Sequence, residues 1–156
     1  MSARLMTPAL FAVGAIVAAG LFSASDASAI GPGDGKACKS SEANPYHGTY
    51  RWRGARSAER IRFWFDHTEP AGDGKIRAFG GGVYLSAPPT RITIRATIDL
   101  KSGRIEIWES KPSRPAFLTN GSHVGTISAD FCHIRAVWTT ANTGERGDLT
   151  LDIKPK

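Results

Sequence analysis

Four histidines, His47, His67, His123 and His133, are the side chains of this sequence best suited to moving protons or holding a metal near neutral pH. None stands at the i, i+4 spacing of a helical ligand pair or the i, i+2 spacing of a strand pair, so no metal site and no cofactor is implied. Ser122, His123 and Asp130 supply the residue types of a nucleophilic triad. Ser122 lies outside any Gly-x-Ser-x-Gly elbow, however, and adjacent residues of a strand point to opposite faces. Glu106 and Glu109 differ by three positions and fail as a carboxylate pair for the same reason. Gly31-Pro32-Gly33-Asp34-Gly35-Lys36 is one residue short of a phosphate-binding loop, and Ala37 stands where Ser or Thr is needed. No enzyme signature is present, and the pattern leans toward binding rather than catalysis. A cleft bringing His123 together with a distant Asp or Glu is what would revive catalysis.

Binding chemistry is better represented. Five arginines fall between Arg51 and Arg62, interleaved with Tyr50 and Trp52 and followed by Trp64. Arginine and aromatic side chains together can hold a polyanion through charge and stacking. In a strand, Tyr50 and Trp52 share one face and Arg51 and Arg53 the other, so aromatics in the core and arginines in water is the plainer arrangement.

These residues must be positioned by strands. Ile92, Ile94, Ala96, Ile98 and Leu100 alternate with Arg91, Thr93, Arg95, Thr97 and Asp99, the period-two pattern of a half-buried strand. Lys101-Ser102-Gly103 turns the chain into Arg104 to Glu109, with Ile105 and Ile107 inward. The same pattern predicts strands at Tyr46 to Trp52, Ile61 to His67, Lys75 to Leu85, Ser122 to Ser128, Cys132 to Thr139 and Gly147 to Ile153. Asn120-Gly121 and Asn142-Thr143-Gly144 serve as turns between them. About eight strands joined by hairpin-length links make an all-β, antiparallel meander, which closes most simply as a small up-and-down barrel; a β-sandwich is the alternative. Gly80-Gly81-Gly82 predicts a bulge or bend. With Ala96, Gly125 and Ala136, Gly80 and Gly82 also predict room for an interior cavity if neighbouring aromatics leave it empty.

The first 29 residues read as a cleaved secretory signal: Arg4, an uncharged apolar run from Leu5 to Phe22, and an Ala27-Ser28-Ala29 exit. Residues 30–45 form an extended Gly/Pro-rich leading segment, and residues 46–156 the barrel domain. The mature chain of about 127 residues is long enough for one core, and no later run is apolar for long enough to span a bilayer. Its formal charge stays at +6 after loss of Arg4 and Asp26, which would draw it to anionic surfaces. Export to a periplasmic or extracellular compartment makes Cys38 and Cys132 a disulfide pair. Closing so long a loop stabilises by about 4 to 5 kcal/mol in the chain-entropy picture.

Gly48-Thr49-Tyr50 in the first strand, a meander of eight strands and a late Trp138 together give a layout that resembles lipocalin-like and avidin-like barrels. The resemblance implies the fold and no particular ligand. The expected function is binding of a small molecule or anionic ligand, with Trp52, Tyr84 and Trp138 lining an open interior, or with Arg51, Arg53 and Arg62 forming a basic face. The alternative is a packed structural or protein-interaction module of the envelope or secreted milieu.

Overall fold

Alternation carries over directly into the sheet. In this computed structural model, which describes residues 37–141 and 143–153, eight strands follow one another: β1 (Tyr46–Trp52), β2 (Glu59–Gly72), β3 (Lys75–Tyr84), β4 (Thr90–Asp99), β5 (Arg104–Ser110), β6 (Gly121–Ile127), β7 (His133–Thr140) and β8 (Arg146–Asp152). Each pairs antiparallel with the next, and β8 returns to β1 through pairs such as Tyr50 with Leu149, closing a barrel. Closure gives every strand two partners and leaves no sheet edge for aggregation. The stretch that reads as a signal peptide and the first residues of the leading segment lie outside the described residues.

Inward positions make the core. Ile61, Phe63 and Phe65 of β2 meet Ile92, Ile94, Ala96 and Ile98 of β4, Ile105 and Ile107 of β5, and Leu149 and Leu151 of β8. The outer face carries Arg91, Arg95, Glu106, Arg135 and Asp148, charges suited to water rather than lipid. Arg95 lies over the Trp108 ring at 5.1 Å, which covers part of an outward indole.

Three expectations are corrected. Leu100 leaves the inward face, because Asp99 accepts the backbone N–H groups of Lys101 and Ser102 and starts the turn; Leu100 is half exposed. Gly121 is the first residue of β6, paired with Thr140, rather than part of a tight turn. Strand β2 continues beyond His67 to Gly72, because a register shift between Phe65 and His67 re-aims it opposite Gly80 and Phe79. Room at Gly82 is taken by Phe63, whose ring stands 2.6 Å from where a Cβ would be, so the middle of the barrel is packed.

One end of the barrel is sealed. Cys38 and Cys132 form a disulfide with their Cα atoms 5.0 Å apart. The Cys38 N–H donates to Asp130 O at 2.8 Å, and Ser40 Oγ accepts from the Phe65 N–H at 3.0 Å. The Tyr46 hydroxyl donates to Phe131 O. The later part of the leading segment is thereby held under the barrel as a plug.

Candidate ligand cavity at the barrel mouth

The opposite end is formed where β1, β3, β5 and β7 finish and β2, β6 and β8 begin. Trp52, Tyr84, Glu109, Trp138 and Glu59 come together there because each is an inward residue at or near the mouth end of its strand. Together with Tyr50 and with Ala116, Phe117 and Leu118 of the loop between β5 and β6, they enclose a cavity of about 220 Å³. The Phe117 ring centroid is 4.7 Å from that of Tyr84, so the loop roofs part of the mouth. Trp52 (37% exposed) and Leu118 (51%) form an apolar rim.

Tyr50 is the hub of the aromatic wall. Its ring meets Trp52, Tyr84, His123 and Trp138 edge-on at centroid distances of 5.3, 6.0, 5.9 and 6.4 Å. Two glycines make this possible. A Cβ at Gly147 would collide with the Tyr50 ring and hydroxyl, and one at Gly121 would stand 2.8 Å from Trp138 Cε2. Both indole and phenol are thus pressed against bare backbone.

Below the aromatics lies a buried polar cluster. Glu109 Oε1 accepts the Tyr84 hydroxyl at 2.6 Å and lies 2.8 Å from His123 Nε2. His123 Nδ1 has no partner and is sealed. A bare ring nitrogen costs less there than an orphaned N–H, so the pattern assigns the proton to Nε2, which donates to Glu109. Both donors fall on the same oxygen, leaving Glu109 Oε2 for the cavity. His123 is fully enclosed, so it orients Glu109 and does not itself reach the cavity.

The wall is negative. Glu59 and Glu109 line it, and no Lys or Arg does. Burial pushes the Tyr84 phenol well above its ordinary range, and the Glu109 charge and hydrogen bond add to the rise. Burial likewise raises Tyr50, followed by the Glu109, Glu145, Asp148 and Glu59 carboxylates. Tyr50 Oη, Trp138 Nε1 and Glu59 Oε1, all on lining residues, are buried without hydrogen-bond partners.

Of the residues named from sequence, Trp52, Tyr84 and Trp138 are brought together around this cavity. Arg51, Arg53 and Arg62 are not. Arg51 stands on the outer face of β1 beside Asp148 of β8, and Arg62 on β2 beside His47. His47 and Arg51 are four residues apart on β1, about 13 Å at the usual strand rise. Arg53 follows the end of β1, its N–H bonded to Arg146 O. Ser122 points outward to Glu106, away from His123, and Asp130 is bound to Ser128 in a turn at the sealed end. Among the described residues no group of three or more His, Cys, Asp or Glu side chains is placed to hold a metal.

Sequence reasoning passed over Glu59 and Glu109 as site residues and named His123 only on condition that a distant Asp or Glu meets it. A signal was there: the alternation that turns Ile105 and Ile107 inward continues to Glu109, and the one that turns Ile127 and Gly125 inward continues to His123. No family model matches the chain, and no curated protein or solved structure matches it either. The site has to be understood from its own geometry.

Proposed function

We propose that this chain is an exported small-molecule-binding barrel whose ligand occupies the mouth cavity. The observation that carries the reading is the cavity itself: about 220 Å³, walled by Tyr50, Trp52, Tyr84 and Trp138, over a buried Glu109 held by two donors. Pockets of this kind combine apolar walls with a few fixed polar groups, and the mouth of a β-barrel is a common place for them. A 150 Å³ apolar cavity accepts benzene, so this one suits a ligand on the order of ten heavy atoms. Export is supported by the charged start, apolar run and Ala-x-Ala exit of the sequence, and the disulfide is compatible with an oxidising compartment.

Convergence of His123 with Glu109 also favours a second reading, acid–base catalysis at Glu109. Enclosure of His123 leaves that histidine without contact to a substrate, so binding is preferred. The test is native mass spectrometry of the protein purified from its own compartment, before and after denaturation. A recurrent small molecule released on unfolding supports binding. A bare mass, together with unchanged thermal stability across a panel of small organic compounds, rejects it in favour of the interaction module.

A further inference from the structure

We infer that the mouth cavity selects a small organic cation, an alkylammonium compound carrying an acceptor oxygen, rather than an anion. The inference rests on the binding role proposed above. Two carboxylates, Glu59 and Glu109, line the cavity without a basic side chain among its lining residues. An anion placed there would face both charges and find no counter-ion, whereas a cation gains from both.

The aromatic wall points the same way independently. Tyr50, Trp52 and Trp138 stand edge-on to one another, with Tyr50 centroids at 5.3 and 6.4 Å from the two indoles and the indoles 5.0 Å apart. Perpendicular rings at these separations pack edge to face rather than in a stack, and all three line the cavity. Ring faces carry negative quadrupole charge, and pockets lined by several aromatic rings favour ammonium groups whose methyls spread the charge. Trp138 is 2% exposed and its indole N–H has no acceptor in the protein. The Tyr50 hydroxyl, 4% exposed, also lacks a partner. Both are unpaired donors on residues that line the cavity, and an acceptor oxygen on the ligand is the partner the cavity can offer them. A ligand with an ammonium head and a hydroxyl, ether or carbonyl oxygen answers all of these groups at once.

The test is calorimetric titration of the full mature protein with three probes of one shape: choline, its uncharged carbon isostere neohexyl alcohol, and the tert-butylacetate anion. Choline is expected to bind roughly tenfold to thirtyfold tighter than the alcohol, as a desolvated cation–aromatic contact implies, and the anion not measurably. Glu59→Gln should weaken choline severalfold and leave the alcohol unchanged. Glu109→Gln should do the same, with its thermal unfolding checked because Glu109 is buried. Equal binding of choline and the alcohol, or preference for the anion, overturns the cation assignment and leaves a small-molecule site standing. No heat from any probe also overturns it. The binding reading beneath falls only if native mass spectra and the stability panel are blank as well.

Discussion

Glu109 and His123 are joined across neighbouring strands by a 2.8 Å contact between Oε1 and Nε2, with both side chains shut away from water. Ile107 of β5 is the register partner of His123 on β6, so Glu109 is the diagonal neighbour two residues nearer the mouth. Burying a carboxylate is costly unless it is hydrogen-bonded, and Tyr84 and His123 together satisfy one of its two oxygens, Oε1.

Removing either partner should therefore hurt more than the net worth of the contact. His123→Ala and Glu109→Ala are each expected to destabilise by about 3 kcal/mol, because each leaves a buried polar group uncompensated. The double variant should cost less than the two single losses added together, with a coupling of about 1 to 3 kcal/mol. Urea unfolding of the four proteins measures it. Strict additivity would mean that the two groups do not share a proton-mediated bond in the folded state.

Tyr50→Phe should behave in the opposite way. Its hydroxyl is buried without a partner, so deleting it should leave the ligand-free protein unchanged or stabilise it by up to about 1 kcal/mol. Ligand affinity should fall at the same time, the trade between stability and function seen where a polar group is kept for a ligand. A thermal melt paired with the choline titration reads both. A clearly destabilised Tyr50→Phe would show that the hydroxyl already has a partner in solution.

Gly147→Ala tests how closely β8 backs the aromatic hub. The added methyl would fall 2.6 Å from Tyr50 Cε2, and the phenol has little freedom to withdraw because Trp52, Tyr84, His123 and Trp138 surround it. Overpacking of this kind costs about 1 to 3 kcal/mol. A midpoint within error of the parent in urea would show that β8 yields and that the cavity wall is softer than its contacts imply.

Much of this architecture was legible in the sequence, and the reason is periodicity. Where one face is buried, a strand advertises its phase, and β1, β4 and β5 begin or end within a residue of where alternation puts them. The Cys38–Cys132 pairing followed from there being two cysteines in a sequence that reads as exported. The end of β2 was not legible, because the register shift between Phe65 and His67 breaks the alternation that would have announced it. Leu100 misled because its apolar character continues the pattern while Asp99 stops the strand by hydrogen bonding. Trp52, Tyr84 and Trp138 could be named as inward aromatics, yet not the cavity they surround. That depends on the stagger of eight strands, which sets who is level with whom at the mouth. Glu109 and His123 are fourteen residues apart and acquire meaning only once β5 and β6 are paired.

Reduction of the disulfide should lower stability by about 4 to 5 kcal/mol, since the bond closes a long loop of the unfolded chain. Cys38 and Cys132 also hold the plug under the barrel, so the sealed end should open first. Urea titrations with and without reductant give the difference, and hydrogen exchange locates it. Loss of protection starting at the mouth strands instead would show that the disulfide acts on the whole barrel alike.

All three tyrosines of the chain, Tyr46, Tyr50 and Tyr84, are raised above the ordinary phenol value of 10.0, in each case chiefly by burial. Asp130 adds to the rise at Tyr46, and Glu109 at Tyr50 and Tyr84. The folded state therefore holds three phenol protons that the unfolded chain gives up near pH 10. Their contribution to stability is fully present below that pH and is lost as the pH climbs from the unfolded value toward the raised folded values. Native protein titrated with alkali should show no phenolate absorbance through pH 10, then a single cooperative rise coincident with loss of the tryptophan signal. Phenolate appearing gradually near pH 10, while the barrel stays folded, would mean that at least one tyrosine is open to water and that the mouth is wetter than its geometry indicates. Tyr84→Phe should shift the alkaline unfolding midpoint upward if the ionisation of Tyr84 is what drives it, once its cost at neutral pH from the lost Glu109 hydrogen bond is subtracted.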